Sequence, residues 1–185
     1  MEDANYKILL GMVLKDIMNP ANANPALHHQ RILTLGPTPT VLTDLGMPQL
    51  PIVILGRVID KAVFDHGMTK GLLERLYTLI ATPKAVYQAH QGQPGSVIVT
   101  YEVKKMLPIV VAIHPDKEMG GRGRKLERYN NVASVYDKTS GKPGETIEVR
   151  WKREGLLLWE APSPVAVKAE TTEAEVIPLK IAGQK

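Results

Sequence analysis

The chain has 185 residues, 44% of them hydrophobic, with no cysteine, one Phe and two Trp. That length suits one domain with a core of Leu, Ile and Val, and the missing thiols exclude a disulfide scaffold, a cysteine nucleophile and a thiolate zinc site. The formal charge is +4, and residues 101–153 hold 12 Lys and Arg against 7 Asp and Glu, a bias that steers phosphate-rich partners.

The N-terminus starts Met1-Glu2-Asp3 and its apolar run ILLGMVL ends at Lys15, which fits neither a signal peptide nor a membrane span. We expect a cytoplasmic protein with no membrane partner. Tyr6, Leu9, Leu10, Val13, Leu14 and Ile17 recur at helical spacing, predicting one helix over residues 3–18. Pro20 and Pro25 end it, and the turn formers Gly36, Pro37, Pro39, Gly46 and Pro48 predict little regular structure over 26–50. Residues 1–47 read as an N-terminal helix and a connection, 48–161 as the folded unit.

LPIVIL (50–55) predicts a strand, and VIDKAVF (58–64) its continuation or its partner. Thr69 is placed to cap a helix carrying Leu72, Leu73, Leu76, Leu79 and Ile80 that stops before Pro83. Strands are expected at 85–89, 96–103, 108–114 and 131–137, and a hairpin from TIEVRW (146–151) and GLLLWEA (155–161). Helices first and then successive strands argue α+β, a small antiparallel sheet packed by one or two helices. Beyond Pro162 the Pro-, Ala-, Glu- and Thr-rich composition predicts a disordered tail over 162–185.

The five histidines make no tight metal spacing, so neither a metal nor another cofactor is expected. His28 and His29 read as a solvated pair in a loop. His66 lies between an apolar run and a helix start, where free N–H groups attract phosphate and an imidazole can exchange a proton near neutrality; the alternative is a loop histidine bonded to Asp65. HPDKEMGGRGRKLERYN (114–130) places Arg122, Arg124, Lys125 and Arg128 around glycines, a pattern for gripping a nucleic-acid backbone or a solvated hairpin loop. Alternation puts Ser134, Tyr136 and Lys138 on one strand face, catalytic or solvated. Lys84, with Tyr87 on the strand after the helix, poses the same choice.

In order, these segments are a strand with Lys61 and Asp65-His66, the helix TKGLLERLYTLIATP, the strand KAVYQA, the pair GSVIVTYEV and LPIVVAIH, and NNVASVYDK. They resemble the phage MuF C-terminal domain and related phage-borne nuclease-like domains, of the group that includes barnase, EndoU, colicin and RelE-type ribonucleases. The resemblance covers roughly 48–140. It implies a toxin-like, metal-independent endoribonuclease of phage or mobile-element origin, in which a 2′-hydroxyl attacks phosphorus. His66 would be the acid or base, with Lys61, Ser134, Tyr136 and Lys138 contacting the transition state. Lys84, Arg122, Arg124, Lys125 and Arg128 would bind RNA, or DNA, and an immunity or host protein is a further partner. The alternative is an inactive binding module for nucleic acid or a host protein, using the basic 117–128 loop.

Overall fold

A computed structural model describes residues 1–19, 21, 26–90, 94–101, 108–120, 123–137 and 143–162. The expected tail beyond 162 lies outside them. Seven strands form one sheet: β1 (Ile32–Pro37), β2 (Pro51–Leu55), β3 (Ala85–Gln88), β4 (Val97–Tyr101), β5 (Ile109–Met119), β6 (Glu127–Asp137) and β7 (Leu157–Glu160). Their order is β1-β2-β6-β5-β4-β3-β7. Every neighbouring pair is antiparallel except β2 and β6, which run parallel. The α+β class is as expected; the parallel pair is not, because 58–64 leaves the sheet as a helix and opens that edge of β2 to β6.

That segment is α4 (Gly56–Phe64). Its Val58, Ile59 and Ala62 are buried and Arg57 and Lys61 are exposed, so the burial pattern has the spacing of a helix although the β-branched residues suit a strand. The second correction is α7 (Ile147–Arg153), expected as a strand. Thr146 Oγ1 accepts the Val149 N–H at 3.3 Å, and three cations occupy the last turn, where they complement the helix dipole. The third is 26–50, expected to be irregular, which holds α2 (Ala26–His29), β1 and α3 (Thr40–Thr43).

The predicted first helix is α1 (Tyr6–Ile17). The predicted second is two pieces, α5 (Lys70–Glu74) and α6 (Leu76–Ala81), separated at Arg75, whose ψ of 7° is not helical. Tyr6, Leu10 and Val13 of α1 join Val58 and Ile59 of α4, Leu73 of α5 and Leu76 and Ile80 of α6 over one sheet face. That face presents Ile52, Ile54, Val86, Val99, Val111, Ile113, Val132 and Val135. On the other face a smaller cluster unites Ala85, Tyr87 and Val110 with Ile147 and Trp151 of α7.

His28 and His29 are not a solvated pair. His28 is buried with Nδ1 3.2 Å from Asp16, and His29 Nε2 lies 2.5 Å from Asp60 of α4. The backbone of α2 comes so close to α4 that a Cβ on Gly56 would fall 1.9 Å from the His28 oxygen. Gly56→Ala is therefore expected to cost about 3 kcal/mol, since backbone on both sides must shift; a urea midpoint equal to that of the parent would show that α2 can yield.

Candidate functional site

The parallel pairing of β2 and β6 spans only Ile52–Ile54 against Asn130–Val132. The chain then leaves the sheet at Gly56, so the next part of β6 is flanked by α4 instead of a strand. A crevice at the carboxyl end of a strand that turns into a helix is a common place for ligands, and here it is a cavity of about 500 Å³. Arg57 and Lys61, one helical turn apart on α4, line one wall with Val58 and Ala62, and His66 follows on the turn beyond. The opposite wall is His114 and Lys117 of β5 with Asn131, Ala133, Ser134 and Val135 of β6.

A β-bulge assembles that wall. Asn131 pairs with His114 and Ser134 pairs with Ala112. His114 and Ala112 are two residues apart and share a face, but Asn131 and Ser134 are three apart. Only the register shift between Ala112 and Ile113 turns both toward the same side, as bulges beside functional sites do. The same shift lets Val132 and Val135 both enter the main core. Tyr136, opposite Val110, falls on the Ser134 face by alternation. Its ring centroid is 5.7 Å from that of His66, tilted by 42°. Burial pushes its phenol above the usual tyrosine range.

Among the described residues the cavity lining holds three cations, Arg57, Lys61 and Lys117, and no carboxylate. Nearby acids are engaged elsewhere: Asp60 with His29, and Asp116 with Arg128, which grips it through Nε at 2.5 Å and through a terminal nitrogen at 2.7 Å. Asp116 has a φ of 54°, a conformation that aspartate tolerates better than most residues. Its N–H donates to Asn130 Oδ1 at 3.1 Å, and Asn130 in turn donates to Thr38 Oγ1 and to the Pro48 carbonyl. This network fixes the irregular stretch of β5 between His114 and Lys117. Asn131 is buried, and among the described residues its Oδ1 has no hydrogen-bond partner.

Of the sequence-predicted catalytic residues, Lys61, His66 and Ser134 meet in this cavity, Tyr136 touches His66, and Lys138 lies outside the described residues. The predicted nucleic-acid residues do not gather there. Lys84 Nζ is 2.7 Å from Glu148 of α7, and Arg128 holds Asp116. Arg124 and Lys125 line a separate groove with Arg31 and Met12, and Arg122 lies outside the described residues. The helix start after His66 offers little to an anion, because Thr69 Oγ1 accepts the Leu72 N–H at 3.3 Å and α5 has only five residues. Arg57, His114, Lys117 and Asn131 were not anticipated. The spacing of Arg57 and Lys61 could have marked them once 56–64 was read as a helix; His114 needed the register.

Fold and crevice together define a mixed α+β domain with a cationic cavity beside the parallel strand pair. The family model described as the phage MuF-C-terminal domain matches residues 57–162, more than half of the chain, and the chain belongs to that family. The match begins at the second residue of α4, contains every residue lining the cavity, and leaves out α1, β1 and β2. No curated protein and no solved structure matches significantly. Among the described residues no helix is long and apolar enough to cross a membrane.

Proposed function

We propose that the cavity binds an RNA phosphodiester and that the chain is a metal-independent endoribonuclease in which His66 carries a proton. The observation that supports this reading is the lining itself, which among the described residues holds three cations, two imidazoles, a serine hydroxyl and a buried amide around about 500 Å³, free of carboxylates. Such a site attracts a phosphate and resists nothing in its charge. Arg57, Lys61 and Lys117 would contact the non-bridging oxygens and stabilise the added charge of the phosphorane. Ser134 would donate a hydrogen bond beside them, Tyr136 would hold the His66 ring, and Lys138 would add a cation.

In the reaction the ribose 2′-oxygen bonds to phosphorus as its proton passes to a base. The bond from phosphorus to the 5′-oxygen breaks as that oxygen takes a proton from an acid, leaving a 2′,3′-cyclic phosphate and a 5′-hydroxyl. The test is a labelled ribo-oligonucleotide incubated with the protein in EDTA, beside its deoxy counterpart. Cyclic phosphate ends from the ribose substrate alone are expected, slowed about tenfold or more by Lys61→Ala.

A second reading is favoured by the separate groove of Arg31, Arg124 and Lys125, which suits a backbone held without turnover. It predicts no cleavage by folded protein, with binding that weakens steeply with salt.

A further inference from the structure

We propose that His114 is a second catalytic residue of this cavity, the base that takes the 2′-hydroxyl proton, and that Ser96 is the residue that positions it. The inference rests on the cleavage reading above and adds the partner that His66 requires, because cleavage by a 2′-hydroxyl needs one group to accept a proton and another to donate one.

Ser96 precedes β4 and is buried; its Oγ lies 2.7 Å from His114 Nδ1. The chain reaches it through Gly95, whose φ of +82° is one that a side chain would strain. Ser96 thus occupies Nδ1, and with its oxygen accepting from the Nδ1 proton, the lone pair of Nε2 is the one left for chemistry. The arrangement fixes ring orientation and tautomer together, the same service a second partner gives a histidine in other proton-transfer sites.

His114 sits opposite Asn131 at the bulge and lines the cavity with His66 and Lys61. The charged and titratable groups around it are Lys117 on its own strand, Arg57 and Lys61 on α4, and His66 on the turn after α4. Asp116, two residues on, is held by Arg128. Burial first, and Lys117 second, hold the His114 pKa below the usual imidazole range. A proton is therefore disfavoured on His114 in the folded protein, and at neutral pH the ring is free to accept one.

The transfer balances. His114 Nε2 takes the 2′-hydroxyl proton as the 2′-oxygen bonds to phosphorus; His66 gives its proton to the departing 5′-oxygen. The pair ends with the proton on the opposite ring, and exchange with water resets it. The assignment also names the substrate class. A base aimed at a sugar hydroxyl has no work on a strand that lacks one, so the site acts on a ribose-bearing phosphodiester.

The test combines pH–rate profiles with ring-nitrogen NMR on the full chain. The parent is expected to give a bell-shaped profile whose acidic limb comes from His114. His114→Gln should lose that limb and fall by about 10²–10³-fold. Ser96→Ala should lower kcat about tenfold at unchanged KM and shift the acidic limb, and Ser96→Thr should restore both, which a merely structural serine would not do. Uridine 3′-phosphate should perturb the His114 and His66 ring signals of the parent together. Cleavage that keeps its rate and both limbs in His114→Gln overturns the proposal and leaves the nuclease reading standing. Parent protein that cleaves nothing overturns both; uridine 3′-phosphate moving both ring signals would then leave a binding cavity. If His114→Gln does not fold, a His114 signal that is unmoved in the parent by the nucleotide decides against the role.

Discussion

Replacing His66 with alanine is expected to lower RNA cleavage by about 10²–10⁴-fold, the usual worth of a positioned acid or base, with little change in stability. His66 lies on the turn after α4 and is only half-buried. Its ring packs against that of Tyr136 at the surface of the cavity, so the truncation removes no core volume. The loss should fall on kcat more than on KM, because Arg57, Lys61 and Lys117 remain to hold the phosphate. Initial rates and thermal melts of the two proteins check both halves. A variant that melts with the parent and cleaves at the parental rate would remove His66 from the reaction.

The largest stability effect is expected on the far side of the sheet. Glu148 of α7 is buried, and it accepts Thr100 Oγ1 at 2.8 Å, Lys84 Nζ at 2.7 Å and Tyr87 OH at 3.3 Å. Tyr87 itself packs on Trp151 with ring centroids 5.2 Å apart. Burial, and then the neighbouring carboxylate, push the Tyr87 phenol well above its usual range, keeping it a donor. Glu148→Ala removes one acceptor each from Lys84 and the buried Thr100 and Tyr87 hydroxyls, and each buried hydroxyl that loses its acceptor costs about 1–3 kcal/mol. Domains of this kind have only about 5–15 kcal/mol in all. Glu148→Gln should lose less, because its oxygen can still accept from Thr100 and the Lys84 side chain, 37% exposed, can turn to water. Urea unfolding measures both; a midpoint unchanged in Glu148→Ala would show that α7 contributes little to the fold. None of these four residues lines the cavity, so cleavage by the folded fraction should persist.

Much of the sheet was legible because its strands announce themselves. Strands β3, β4, β5 and β6 are apolar runs between turn formers, and α1 is a regular apolar stripe ending at proline. The misreadings of α4 and α7 share a cause. Val58, Ile59 and Val63 in α4, and Ile147, Val149 and Trp151 in α7, are residues that favour strands. In TIEVRW the alternation at 147, 149 and 151 coincides with the one-turn spacing of Ile147 and Trp151, so a single stretch satisfies both periods. Tertiary packing then decides, burying Ile147 and Trp151 against Tyr87 while Val149 stays exposed. For the site, alternation alone found Ser134 and Tyr136, and the polar turn found His66. His114 and Asn131 could not be found that way. Their meeting with Ser134 depends on Ala133 bulging out of β6, which leaves no local mark in NNVASVYD.

That extra residue ties two properties together. With it, Val132 and Val135 both point into the main core while Asn131 and Ser134 both point into the cavity. Draw Ala133 into regular pairing and one of each couple goes to the wrong side, since a one-residue slip exchanges the faces. The chain therefore cannot straighten β6 at this length and keep either the cavity's geometry or an intact interior. Variants that keep the length of β6 and stay folded can change the cavity only by exchanging its side chains, and the kink in β6 persists in them whatever the cavity holds.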